Sequence, residues 1–245
     1  YKRFFLSNDL DQLSFGGQDG QFSQGTGYEI ARLNYYGRIN YTYKEKYLFE
    51  ALFRYDGSYL FPEDTRYGFF PGASAGWVVS EENFFKDNVS FLDYFKLKGS
   101  WGQLGNDNVA PFQFLASYGF SATGLGDVYT TAYETKVPNT NITWETQTSA
   151  NFGFDLRAIN NRLSLGFEVF RNLREDILTL PNKTLPSYSG ITPPAQNIGE
   201  FENTGIEITA GFNGETNSGL TYNFSFNVSD SNNTLLFVDE PDFAD

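Results

Sequence analysis

Ala31-Arg32-Leu33-Asn34-Tyr35-Tyr36-Gly37-Arg38-Ile39-Asn40-Tyr41-Thr42-Tyr43 is the cleanest period-two run in the chain. From Leu33 the odd positions carry Leu, Tyr, Gly, Ile, Tyr and Tyr, and the even positions from Arg32 carry Arg, Asn, Tyr, Arg, Asn and Thr. A strand built this way has one face for hydrocarbon and one for water. About ten residues of such a strand suffice to cross a bilayer as part of a barrel. A half-buried strand of a soluble sandwich alternates in the same way, so this stretch alone leaves both open.

The same pattern returns along the chain. After the tight polar connection Lys44-Glu45-Lys46, Tyr47, Phe49, Ala51, Phe53 and Tyr55 alternate with Leu48, Glu50, Leu52, Arg54 and Asp56. A third strand runs through Phe69 to Val79, and Pro71 predicts a bulge there or a start just after it. Ser80 to Asp87 predicts a short helix with Ser and acidic residues at its start. Strands follow through Phe95 to Leu104, Trp144 to Leu156, Leu163 to Phe170, Ile206 to Phe212 and Leu220 to Val228, with Asn160-Asn161 as a tight turn. The Gly/Gln/Ser-rich stretch Gly16 to Gly27 predicts a loop, and the acidic tail Val238 to Asp245 predicts no strand.

Short and long connections alternate in step with these strands. Outer-membrane barrels have short periplasmic turns and long outer loops, so Lys44–Lys46, Asn160-Asn161 and Gly214–Gly219 belong on one side. Gly57–Arg66, Gly105–Asn141 and Asp176–Glu202 belong on the other. Parity requires Gly105–Asn141 to hold either no spanning strand or two; none is expected, giving eight. The expected fold class is therefore all-β, an antiparallel transmembrane β-barrel, with the soluble sandwich as the alternative.

Composition agrees with a greasy outside and a wet inside: aromatics are 18% of 245 residues, yet mean hydropathy is -0.40, with many Asn, Ser, Thr and Gly residues. Cys, His and Met are all zero, which excludes disulfides, thiol chemistry and imidazole ligands or acid–base catalysis from this chain. The net charge of -13 argues against a nucleic-acid partner. No apolar run is long enough for a spanning helix, a test that barrels escape. Glu81-Glu82 and Asp239-Glu240 are adjacent carboxylates that read as solvated charge, and Gly105-Asn106-Asp107-Asn108 reads as a turn before it reads as a calcium loop. No catalytic constellation is visible, so no enzyme, metal or cofactor is expected.

Several stretches resemble the SusC/RagA family of TonB-dependent transporters, the nutrient importers of Bacteroidetes outer membranes. They are Ala31 to Arg38, Phe53 to Ser58, Arg66 to Pro71, Ser74 to Trp77, Ser100 to Asn106 and Gln196 to Glu207, in order across Ala31 to Phe226. The resemblance implies that residues 1–245 are the middle-to-late part of a barrel of about 22 strands with its extracellular loops. On that reading the plug, the TonB-contacting segment and the closing strands are absent, leaving two unpaired edges. It also implies an outer-membrane location and lipid contact. The implied partners are a SusD-like surface lipoprotein, TonB acting through the missing amino-terminal part, and an oligosaccharide or oligopeptide cargo. A siderophore or cobalamin importer and a soluble, secreted glycan-binding β-sandwich are the alternatives.

On this reading Arg38, Asn40, Glu50 and Arg54 line the lumen. Tyr59, Phe61, Tyr118, Tyr129, Tyr133 and Tyr188 sit on outer connections, where ring faces can stack on sugar rings. Leu33→Arg is expected to cost about 2–4 kcal/mol at a bilayer midplane, while Asn34→Arg is tolerated.

Overall fold

A computed structural model describes residue 27 and residues 29–123, 129–181 and 193–239. The chain divides into two units, Tyr1–Arg32 and Leu33–Asp245, and the second carries the sheet. The expected loop before Gly27 and most of the acidic tail lie outside the described residues.

The strands are β1 (Arg32–Tyr43), β2 (Tyr47–Ser58), β3 (Tyr67–Val78), β4 (Leu92–Asn106), β5 (Ser117–Thr123), β6 (Tyr129–Lys136), β7 (Glu145–Ala158), β8 (Leu163–Thr179), β9 (Gln196–Glu215) and β10 (Thr221–Phe237). Eight form one sheet in the order β1-β2-β3-β4-β7-β8-β9-β10. Every neighbour follows its predecessor in the chain except β7, which pairs antiparallel with β4. The excursion between them carries β5 and β6, which pair only with each other, so beyond the end of β4 at Asn106 the stretch to Asn141 adds no strand to the main sheet. Among the described residues β1 and β10 are the two edges of that sheet.

Register sorts the side chains into two faces, because strand residues alternate with period two. One row runs Tyr47, Trp77, Leu97, Phe154, Phe167, Ile208 and Val228. The row one residue along runs Leu48, Gly76, Lys98, Gly153, Glu168, Glu207 and Ser229. A sandwich would cover the first face with a second sheet. Here Phe152, Phe224 and Phe226 stay 58%, 66% and 61% exposed, and the only other sheet among the described residues is the β5–β6 hairpin.

The apolar band is slanted against the rows. Ala51, central in the band on β2, leads through Ala73, Trp101, Ala150, Arg171 and Thr204 to Asn232. On β4, β8 and β10 the band is instead centred between Leu97 and Gly99, Leu165 and Phe167, and Phe224 and Phe226. It has therefore slipped by three, five and seven residues after two, four and six pairings. That drift of about 1.2 residues per strand, at ~3.3 Å per residue and ~4.8 Å between strands, tilts the strands by about 40° to the band normal. A membrane barrel has a tilt of roughly 35–45°. The drift also explains why Arg171 and Asn232 sit on the apolar parity: they lie above the band. Leu33 lies at the band's edge on β1, not its centre, which corrects the depth expected for it.

Aromatic rings mark both rims. Tyr43, Tyr47 and Trp77 stack with centroid separations of 6.4 Å at one end, and Tyr55 stacks on Tyr67 at 5.1 Å at the other. Pro71 does not bulge or begin β3. It lies inside the strand opposite Phe53, and the β3–β4 register starts only at Gly72, so its missing N–H interrupts no bond of that ladder.

The β1–β2 reversal is closed by the Lys46 N–H donating to the Tyr43 carbonyl at 3.0 Å, with Lys44 and Glu45 both left-handed (φ 52° and 57°). Neither residue favours that region. Lys44→Asn combined with Glu45→Gly should therefore raise stability by about 1 kcal/mol, read as a shift of the denaturant midpoint in vesicles.

Candidate functional site

The polar face is concave across β1–β4, β7 and β8, enclosing about 360 Å³ lined by Asn40, Glu50, Lys98, Ser100, Asn151 and Glu168 among others. Arg38 approaches Glu50 at 3.9 Å, and Arg54 grips Asp56 two residues along its own strand with bonds of 2.9 and 3.2 Å. Thus Arg38, Asn40, Glu50 and Arg54 all stand on the polar face. Lys98 bridges Asp155 at 3.2 Å and Glu168 at 3.3 Å, joining three neighbouring strands. This centre was not read from the sequence, because pairing across strands needs the register. A Cβ at Gly153, between those carboxylates, would collide with the Phe167 carbonyl, so the strands close up there only around glycine.

Farther round the wall β10 adds no charge to the polar face, where Glu207 of β9 stands opposite Ser229. Asn203 bonds Asn233 and Asn213 bonds Asn223, with Ser225, Asn227, Ser229 and Ser231 between them on β10. These groups donate and accept without favouring either sign of ligand.

All three long connections meet at one end. Phe61, Phe70, Ile142 and Trp144 form a buried cluster, with Val109, Phe114 and Leu178 packed on it. The Trp144 ring lies 5.3 Å from Phe61 and 5.4 Å from Phe70, and its Nε1 donates to the Arg66 carbonyl at 3.1 Å. Polar ties surround this core. Thr65 Oγ1 donates to Ile142 O at 2.7 Å, Ser58 Oγ to Asp107 Oδ2 at 2.8 Å, and Asn106 Nδ2 to Glu145 Oε2 at 2.7 Å. Asn197 accepts from Thr143 N–H and donates to the carbonyls of Thr143 and Asp176 at 2.8–3.1 Å, tying the start of β9 to the connection before β7 and to the end of β8.

The outer aromatic residues separate accordingly. Phe61 is 0% exposed, which corrects its expected role: it has no free ring face and is the centre of the loop core. Tyr59 is half-buried against the edge of Phe112 at 6.5 Å, while Tyr118 stands exposed on β5. Tyr129 and Tyr133 are on β6, with side chains outside the described set, and Tyr188 lies outside the described residues. Asn106 and Asp107 spend their oxygens on Asn108, Ser58 and loop packing, and no cluster of three metal-ligating side chains occurs among the described residues.

At the opposite end the predicted helix from Ser80 is reduced to a 3-10 turn, Val79–Glu81, and one α-helical turn, α1 (Asn83–Lys86). Ser80 is buried and caps nothing. Glu82 occupies the cap position, but its carboxylate is drawn away, accepting from Tyr47 at 2.7 Å, Lys46 at 2.9 Å and Trp77 at 3.2 Å. The bond from Tyr47, then that from Lys46, lowers its pKa from 4.5 to about 2. A depressed carboxylate contributes stability that is complete above its ordinary pKa and is lost as pH falls through its folded value. Thermal melting should thus show a proton-linked loss of stability between about pH 4.5 and 2 that Glu82→Gln abolishes.

Three comparisons place this geometry. The family model described as "TonB dependent receptor-like, beta-barrel" matches residues 1–244. The TonB-dependent receptor P3 of Formosa agariphila is 32% identical over 243 residues, covering 98% of this chain and 24% of that protein. The TonB-dependent receptor SusC of Bacteroides thetaiotaomicron is 31% identical over 235 residues, covering 93% and 23%. The solved RagAB peptide transporter superposes with a TM-score of 0.72 at 25% identity, over 96% of this chain and 26% of that one. The chain spans about a quarter of the length of these relatives.

Proposed function

The chain belongs to the TonB-dependent receptor-like β-barrel family, and from that membership we propose that it is wall and outer loops of an importer of oligosaccharides or oligopeptides across the outer membrane. The observation that carries this reading is one continuous sheet with a slanted, exposed apolar band on one face and a concave polar wall on the other. The short connections then face the periplasm and the long ones the exterior. Energy reaches the barrel through TonB and a plug supplied by other parts of the protein, and a SusD-like lipoprotein covers the outer loops. This chain contributes no chemistry; it holds lipid outside and a hydrogen-bonding passage inside.

Deleting the gene of the whole protein and following uptake of defined oligosaccharide and oligopeptide mixtures tests the proposal. Loss of uptake of one of these classes, restored by the intact gene, supports it. Loss confined to ferric siderophore or cobalamin uptake would replace it with import of a scarce micronutrient.

A further inference from the structure

Two of the short connections reverse the chain in a few residues, at Lys44–Lys46 and at Ile159–Arg162. The β3–β4 connection does the same work at the same end but takes residues 79–91. Those extra residues fold back over the apolar side of the sheet. Phe84 packs against Trp77 at 6.5 Å, and Phe85 stacks on Phe95 at 6.2 Å; both partners have apolar-face parity. Glu82 fastens the segment to the rim by accepting the Trp77 and Tyr47 hydrogen bonds that rim aromatic residues ordinarily donate to lipid headgroups. The Lys86–Glu81 ion pair at 2.6 Å and the bond from Asn88 Nδ2 to the Phe84 carbonyl at 2.7 Å hold the turn closed. The segment leaves Phe84 57% and Phe91 70% exposed.

We propose that the β3–β4 connection is an interfacial lipid anchor, whose Phe84 and Phe91 enter the boundary between headgroups and acyl chains of a glycerophospholipid leaflet. The occupant is identified by continuity: Phe84 and Phe85 extend the apolar band past its rim of Tyr43, Tyr47 and Trp77. Apolar rings beside charged side chains, here Glu81, Lys86 and Asp87, are the composition of a segment lying in a membrane interface. The inference rests on the membrane reading above.

Spin labels test it in the whole protein, freed of other cysteines and reconstituted in phospholipid vesicles. Phe84→Cys and Phe91→Cys are compared with Phe226→Cys in the apolar band and Asn160→Cys in a short turn. Asn83→Cys, the exposed residue before Phe84, serves if Phe84→Cys does not fold. Power saturation by oxygen, which partitions into lipid, is set against saturation by a water-soluble nickel chelate. The expected result is an oxygen-to-nickel ratio several-fold higher at positions 84 and 91 than at 160, approaching that at 226; at 83 it would be intermediate. A lipid-like signal at 226 with water-like signals at 83, 84 and 91 would overturn the anchor alone. Positions 84 and 91 closed to both reagents would also overturn it, showing a protein surface there. A water-like signal at 226 would overturn the membrane reading itself.

Discussion

Trp144→Ala should cost about 3–5 kcal/mol, concentrated in the outer loops rather than the sheet. The ring fills the space between Phe61 and Phe70, and its N–H shares the Arg66 carbonyl with the Ser58 N–H. Removal empties the only apolar core that these connections share among the described residues and takes away one of the two bonds to that carbonyl. Hydrogen exchange of the whole protein should rise around residues 59–66 and 139–144, while β7 and β8 below keep their protection. Trp144→Phe retains much of the packing and loses the hydrogen bond, so its effect should be roughly 1–2 kcal/mol. Equal exchange in wild type and Trp144→Ala would show that the loops are held from elsewhere.

Phe226→Arg should destabilise the folded barrel by about 2–4 kcal/mol in vesicles, whereas Ser225→Arg, one residue away on the polar face, should cost less than about 1 kcal/mol. Phe226 is 61% exposed at the band centre on β10 and Ser225 pairs with Gly211 on the opposite face, so neither change disturbs a packed interior. Depth adds a third member to the series. Leu33 lies at the upper edge of the band on β1, so Leu33→Arg should cost about 0–1 kcal/mol, well below the value expected from the strand in isolation. Denaturant titration of the three variants in vesicles reads the order directly. A flat series would contradict both the face assignment and the tilt.

The division into faces was legible in the sequence because a one-residue slip would exchange every Phe with a Ser or Asn, as along β10. The strand count came from the same signal and from the alternation of connection lengths. What the sequence withheld was everything that depends on register. Lys98, Asp155 and Glu168 each had polar-face parity, but their convergence required the pairings of three strands. The depth of Leu33 required the drift of the band along six pairings. The outer loops were misjudged at Phe61 because exposure was inferred from loop position, while the loops carry enough apolar residues to make a core of their own. Glu82 reads in sequence as solvated charge beside Glu81; its role depends on a fold-back that brings it to Tyr47, far away in sequence. Asn197 stands inside a recognisable motif, yet nothing in that motif says that its side chain ties the start of β9 to the connection before β7.

If this sheet is one arc of a closed membrane barrel with lipid on its apolar face, electron cryo-microscopy of the whole protein in lipid nanodiscs should show Arg32–Tyr43 and Thr221–Phe237 each hydrogen-bonded to a further strand, with the lipid belt following the slanted band from Ala51 to Phe224–Phe226. Edges left open to solvent, or a second sheet packed on Phe154, Phe167 and Ile208, would contradict it.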